Sequence, residues 1–308
     1  MIVRDRPTGL DLFLLMRGSI LPRISKILIF NIALATVVTV THGMFFQFKV
    51  TLSPIPFSLM GLPLAIFLGF RNTAAYDRYW EARKLWGELL LRCRNLSRQC
   101  LYLVDAPPPG QEDLRPRMLH RAVAFCHALR LQLRGKPSGA EVQAFVSPQE
   151  WAEVAKASNH SAALMLRMGA DLGALRRAGL ADPQVVAQID STLSAMTNAA
   201  ASCERISSTP VPFSYTLLLH RTAYAYCLLL PFGLVDTLTF MTPVVVAIVA
   251  YTFFGLDALG DEIEEPFGSS PNDLPLDAIC RSIEITVREA LGEEEIPPPL
   301  LPVDYCLM

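Results

Sequence analysis

Two runs of residues without a charge, 27–46 and 50–70, dominate the first quarter of the chain, and a third, 222–256, is broken only by Asp236. A helix needs about 20 apolar residues to cross roughly 30 Å of hydrocarbon. The first two runs fit one helix each. The third is too long for one and predicts a hairpin of two, with Asp236 near its outer turn. Its first arm is short by itself, so that helix is expected to start near Tyr215, with Arg221 reaching back toward the interface. In a hairpin turning near residues 236–240, Arg221 and Asp257 fall at the same depth and are expected to pair. The pattern reads as four membrane spans. A cleavable signal peptide is not expected, because the first apolar run begins late and no small-residue cleavage site follows it.

Between the second and third spans the pattern turns amphipathic. Tyr76, Trp80, Leu89, Leu90 and Leu96 recur at near-helical spacing. Ser147-Pro148-Gln149-Glu150 is a capping box with proline at the first helical position, and Asp182-Pro183 opens a helix running to about Ile206. After the last span, Leu276, Ile279, Cys280, Ile283, Val287 and Leu291 mark one helix face. Ala106-Pro107-Pro108-Pro109-Gly110 is a loop, and Glu293-Glu294-Glu295 before Pro297-Pro298-Pro299 begins an extended tail. No strand-period segment of useful length and no internal repeat is present. The expected fold is all-α, an integral membrane protein whose membrane helices continue into cytosolic ones. Its parts are an N-terminal cytosolic segment (1–26), spans one and two (27–70) and a helical cytosolic region (71–212). Spans three and four (213–256) and a C-terminal helix with an acidic tail (257–308) complete it.

Composition narrows the class. Charged residues make up 18%, against about 25% in soluble domains, with 52% hydrophobic residues and a mean hydropathy of +0.34. That excludes a disordered chain, a collagenous chain and a coiled-coil rod. A net charge of −2 leaves no nucleic-acid footprint. The seven cysteines are scattered without a CxxC pair, which argues against a disulfide framework or a zinc site and fits a reducing compartment. Arg4, Arg6, Arg17, Arg23 and Lys26 precede span one, and Arg71, Arg78, Arg83 and Lys84 follow span two. Only Lys49 lies between the two spans, so both termini are expected to be cytosolic. Charge is also divided along the chain: residues 71–212 carry a net +5 and residues 257–308 a net −11. The acidic tail either wraps the basic region or lines a pore mouth.

Enzyme chemistry finds no support. The histidines His42, His120, His127, His160 and His220 form no HExxH pattern, and no phosphate-binding glycine loop or GxSxG is present. His220 beside Arg221 reads either as an ion site or as the edge of the membrane. Asp257, Asp261, Glu262, Glu264 and Glu265 have two readings: ligands for a hard cation such as calcium, or partners of cytosolic arginines. On the second span Leu62, Ile66 and Phe70 sit four apart and share one helix face. Such a stripe faces lipid or a neighbouring helix, or forms a hydrophobic constriction that gates by dewetting. Gly61 and Pro63 are expected to bend or loosen the backbone there.

Four blocks, in order, resemble the bestrophin family of channels in its bacterial branch. They are Gly18-Ser19-Ile20-Leu21-Pro22; residues 63–72 continuing into Tyr76-Asp77-Arg78-Tyr79-Trp80-Glu81-Ala82-Arg83; Cys203-Glu204-Arg205-Ile206 with Thr209-Pro210-Val211-Pro212-Phe213; and Pro266-Phe267-Gly268 with Asn272-Asp273-Leu274-Pro275. The resemblance implies a homopentamer in the bacterial inner membrane, with one axial pore for monovalent ions (sodium, potassium or chloride) and no cofactor. It also implies that Leu62, Ile66 and Phe70 carry the neck side chains and that a second, cytosolic aperture lies at Leu180. Where eukaryotic members have an acidic run after Pro-Phe-Gly, this chain has Ser269-Ser270-Pro271-Asn272, so calcium is not expected to be needed for opening.

The leading expectation is therefore a channel, favouring cations because the tail carries −11 and carboxylate rings enrich cations. An anion channel of the same architecture is the alternative. A secondary transporter is the competing class, but internal repeats and midplane polar sites are missing. A membrane-anchored interaction protein is a third class. Unitary current steps separate them.

Overall fold

Prolines and left-handed residues set the helix boundaries more tightly than the apolar runs do. The computed structural model describes residues 1–4, 9, 15–16, 18–45, 48–49 and 52–308. Arg6, Arg17 and positions 46, 50 and 51 of the apolar runs lie outside the described residues. Helix α1, Leu21–Val40, carries Pro22 in its first turn, where a missing N–H costs nothing. It stops six residues short of the apolar run, because His42 and Gly43 adopt positive φ values of 52° and 71°. A two-residue antiparallel ladder follows, β1 Met44–Phe45 on β2 Phe48–Lys49, with Met44 opposite Lys49. It is too short to leave a period-two signal in the sequence.

Helix α2, Ile55–Tyr102, is one continuous helix of 48 residues that runs unbroken through Pro63. Next come α3 Leu114–Leu133, α4 Ala140–Gln143, α5 Pro148–Val154, α6 His160–Arg177 and α7 Pro183–Ser208. Helix α8, Phe213–Leu238, and α9, Thr242–Glu264, are the arms of the expected hairpin, joined by the 3-10 turn Thr239–Met241. Asp236 sits at that turn and forms an ion pair with Lys49 at 2.8 Å. Helix α10 is Leu276–Leu291. Apart from the short ladder, the described fold is all-helical. Three helical runs are long and apolar enough to cross a membrane: Leu21–Val40, Ile55–Tyr102 and Phe213–Glu264, the last being the α8–α9 hairpin.

The chain divides into two compact units, Asp5–Tyr79 with Pro210–Glu265, and Met1–Arg4 with Trp80–Thr209 and Pro266–Met308. In the first, α1, α8 and α9 pack on one another around Ile24, Leu219, Ala223, Cys227, Phe253 and Phe254, with Leu64 and Leu68 of α2 in the same cluster. The Asn31 amide donates to the Cys227 carbonyl at 3.0 Å inside it. At Gly233 the Phe57 ring lies so close that a Cβ would collide with it.

In the second unit α3 is the central helix, buried on nearly every side from Met118 to Leu131, with α6 and α10 against it. Its buried Arg121 is paired: it donates to Glu150 at 2.6 and 2.9 Å and also binds Asp171. Asp113 caps α3 by accepting from the Arg115 N–H at 3.0 Å, and that guanidinium holds its carboxyl below the usual carboxylate range. The capping box at Ser147 forms as expected, its hydroxyl accepting from the Glu150 N–H. The expected face of α10 is buried at Leu276, Cys280, Ile283 and Val287. Part of the acidic tail wraps the basic helices: Asp277 takes Arg130 and Arg134, and Glu293 takes His120 and Arg288. Six of the seven cysteines are buried, Cys93 and Cys126 with their sulfurs 3.9 Å apart.

His127 on α3 gives this unit a pH dependence. Burial, with Arg130 and Arg281 nearby, pushes its pKa down from 6.5 to about 4. Between those values the unfolded chain binds a proton that the folded chain does not. The contribution of the neutral ring is complete above pH 6.5 and is lost as pH falls toward 4, a change on the order of 3 kcal/mol. His127→Asn is expected to flatten that part of the stability profile. Unfolding midpoints of both proteins at pH 7 and near pH 4 check this, and parallel profiles would overturn it.

Candidate pore-lining site

A helix packed on one side only shows which face the described residues of its own chain leave open. In the first half of α2, Leu64 and Leu68 are buried, whereas Leu62, Ile66 and Phe70 are 67, 47 and 63% exposed. At 1.5 Å rise per residue these three cover about 12 Å of helix length. Leu59 and Phe67 extend the exposed apolar surface to either side, and the Phe67 and Phe70 rings meet edge-on at 6.4 Å. Large apolar side chains in this number are rarely left open on a soluble monomer and mark a face for lipid or for another chain.

The end of this stripe is fixed by a buried charge. Arg71 is fully buried. Its guanidinium donates to the Asp257 carboxylate at 2.9 Å and to the Asp257 carbonyl at 3.2 Å. It also binds Asp261, and a Glu264 carboxylate oxygen lies 3.7 Å away. His220 Nδ1 lies 2.6 Å from the second Asp257 oxygen, and Arg23 stands 3.7 Å from Asp261. Glu264 further accepts from the Val211 N–H at 2.9 Å. At Gly260 an added Cβ would meet the Asn72 amide oxygen, which would have to shift, and would touch the Arg71 guanidinium. A buried charge is tolerable only when paired and hydrogen-bonded, and here three carboxylates supply the pairing.

The expected pair Arg221–Asp257 does not form: Asp257 takes Arg71 and His220 instead. Adjacent helix residues share a depth but point about 100° apart, so His220 reaches Asp257 while Arg221 is exposed. A double-mutant cycle of Arg221→Gln and Asp257→Asn is expected to be additive within about 0.5 kcal/mol. The same cycle with His220→Gln should not be, and a coupled Arg221 cycle would contradict this pairing.

Of the five clustered acids, Asp257, Asp261 and Glu264 converge on Arg71, while Glu262 and Glu265 do not. No group of three potential metal ligands occurs among the described residues. Asp273, after Pro266-Phe267-Gly268, turns back on its own loop and accepts from the Ser270 N–H at 2.6 Å. Leu180 lies in the turn between α6 and α7, its carbonyl accepting from the Asp105 N–H at 2.8 Å. It belongs to the second unit, and the stripe to the first. The residue that reasoning from sequence missed is Arg71. Its only signal was an arginine directly at the end of an apolar run.

Residues 1–289 match the family model described as Bacterial/Fungal Bestrophin protein. The chain is 48% identical over 305 residues to a voltage-dependent anion channel-forming protein of Mesorhizobium japonicum, covering 99% of this chain and 96% of that one. It is 38% identical over 302 residues to the voltage-dependent anion channel-forming protein YneE of Escherichia coli, covering 98% of each. The fold is similar to the crystal structure of a bacterial bestrophin homologue from Klebsiella pneumoniae. The TM-score is 0.82 at 37% identity, over 87% of this chain and 98% of that one.

Proposed function

The chain belongs to the bacterial and fungal bestrophin family, and from that premise we propose that several copies form one membrane pore with Leu62, Ile66 and Phe70 of each at its neck. The observation that carries this reading is the exposed stripe itself. Leu62, Ile66 and Phe70 on one face of α2 are left 47–67% exposed by the described residues, while Leu64 and Leu68 on the other side are buried. Closed cyclic symmetry turns one such face into a continuous ring. A homopentamer is proposed on the family resemblance, with four spans (α1, the first half of α2, α8 and α9) and Leu180 at a cytosolic aperture. Both termini fall in the same unit, where Val3 and Tyr305 share a backbone hydrogen bond. That supports the cytosolic placement of both in a bacterial inner membrane.

The permeant ion is proposed to be a small anion, in place of the cation preference expected from the tail. Two observations support the change. The relatives are named as anion channel-forming proteins. The carboxylates behind the cation argument are also held by the chain's own bases: Asp257, Asp261 and Glu264 by Arg71, and Asp277 by Arg130 and Arg134. A carboxylate paired this closely adds little field at a mouth. Reversal potentials of the purified protein in a planar bilayer under a potassium chloride gradient test the reading. A shift toward the chloride equilibrium potential is expected; a shift toward that of potassium restores the cation channel, and the absence of unitary steps removes the pore.

A further inference from the structure

Between α3 and α10, within the second unit, lies a cavity of about 520 Å³. Its basic wall is His127, Arg130, Arg134, Lys136, Arg281 and Arg288. Three carboxylates, Glu141, Asp277 and Glu284, also line it, and each is already engaged. Asp277 holds Arg130 and Arg134, Glu141 holds Arg130 with His127 3.6 Å away, and Glu284 holds Arg281 and Arg288. Lys136 makes no ion pair among the described residues and is exposed. The wall thus carries an excess of positive charge.

The second observation is a set of unpaired polar atoms: the Arg130 and Arg134 N–H groups are donors, and the neutral His127 ring has one donating and one accepting nitrogen. Arg130 Nε, Arg134 Nη2 and both ring nitrogens of His127 are buried without a hydrogen-bond partner. An unpaired buried donor is costly, more so on a charged group. An oxyanion supplies the missing acceptor after a small turn of each guanidinium or of the ring. The size and lining of the cavity narrow the class of anion. A halide fills a small part of it and offers one point of charge. A phosphate group offers three strong acceptor oxygens and a charge near −2 at neutral pH, matching donors that arrive from three side chains, two of them arginine forks suited to phosphate. The rest of the wall is apolar: Phe145 stacks on His127 at 5.5 Å beneath the Arg288 guanidinium, with Leu131 and Leu300 alongside. A bare inorganic ion leaves that wall unused, whereas an organic group fills it.

We propose that this cavity is a binding site for a small phosphate monoester, with Arg130, Arg134, His127 and Lys136 holding the phosphate and Phe145 the organic group. The proposal does not rest on the channel reading, because binding is measured in detergent without current. The test is calorimetric titration of the full chain with phenyl phosphate, inorganic phosphate and benzoate at 0.15 M salt, an ionic strength that weakens exposed charge contacts. Phenyl phosphate is expected to bind saturably, one per chain, and about tenfold more tightly than inorganic phosphate or benzoate. Arg134→Gln should weaken it about tenfold or more, the effect of one charged hydrogen bond. Lys136→Gln, at an exposed position that leaves the fold intact, should weaken it several-fold, while Lys156→Gln, an exposed pair of Glu153, should not. Absent or non-saturable binding, equal losses in Lys156→Gln and Lys136→Gln, or benzoate binding as tightly as phenyl phosphate would each overturn the proposal.

Discussion

Arg71→Met is expected to cost about 3–5 kcal/mol of stability, because it removes the guanidinium that pairs with Asp257 and leaves that carboxylate buried. The methionine fills similar volume, so the loss reports charge rather than a cavity. His220 remains 2.6 Å from Asp257 and offsets part of it. Neutralising the partner as well, in Arg71→Met with Asp257→Asn, should recover a share of the loss as coupling of about 0.5–3 kcal/mol. Thermal melting of the purified single and double variants in one detergent measures both quantities. An Arg71→Met protein melting within about 0.5 kcal/mol of the parent would show that the network does not hold the α2–α9 contact.

Two residues on opposite sides of one turn of α2 should behave in opposite ways. Ile66→Ala is expected to raise unitary conductance and to change stability by no more than about 0.5 kcal/mol, since its side chain is half exposed. Leu68→Ala should cost about 2–5 kcal/mol, because its side chain is fully buried against the α1–α8–α9 cluster. Both proteins are measured by current and by melting. If Ile66→Ala destabilises like Leu68→Ala and leaves the current unchanged, the stripe is a packing face and not a neck.

Much of the helical framework was legible because a run of apolar residues is a length signal, and length survives any ambiguity of direction. The α8–α9 hairpin was readable from a run too long for one helix, with Asp236 at the break. Azimuth was harder. Reasoning by depth chose Arg221 for Asp257 and missed His220 one residue away, because depth fixes a position along an axis and not around it. Arg71 and Asp257 are 186 residues apart, and nothing local joins them. The same difficulty affected the second half of α2. Of the residues that recur there at helical spacing, Tyr76 and Trp80 are exposed, whereas Ala75, Ala82, Trp86, Leu89, Cys93, Leu96 and Cys100 form the buried seam. Alanine and cysteine carry little weight in a hydropathy pattern, though small residues let helices approach closely. The basic cavity was out of reach for a further reason: its wall comes from α3, from the segment after it and from α10, and only folding makes it concave.

The burial of the cysteines makes the unmodified protein nearly silent to thiol-directed probes. Labelling requires a thiolate that reagent can reach. Burial pushes the Cys100, Cys203 and Cys280 thiols up to about 12, Cys126 is raised as well, and Cys93 and Cys227 are enclosed. Cys306 alone is partly open. A background of Cys306→Ser therefore suffices for a cysteine placed at Leu62, Ile66 or Phe70 to report, by its rate of modification from each side of the membrane, which solvent reaches that turn of α2.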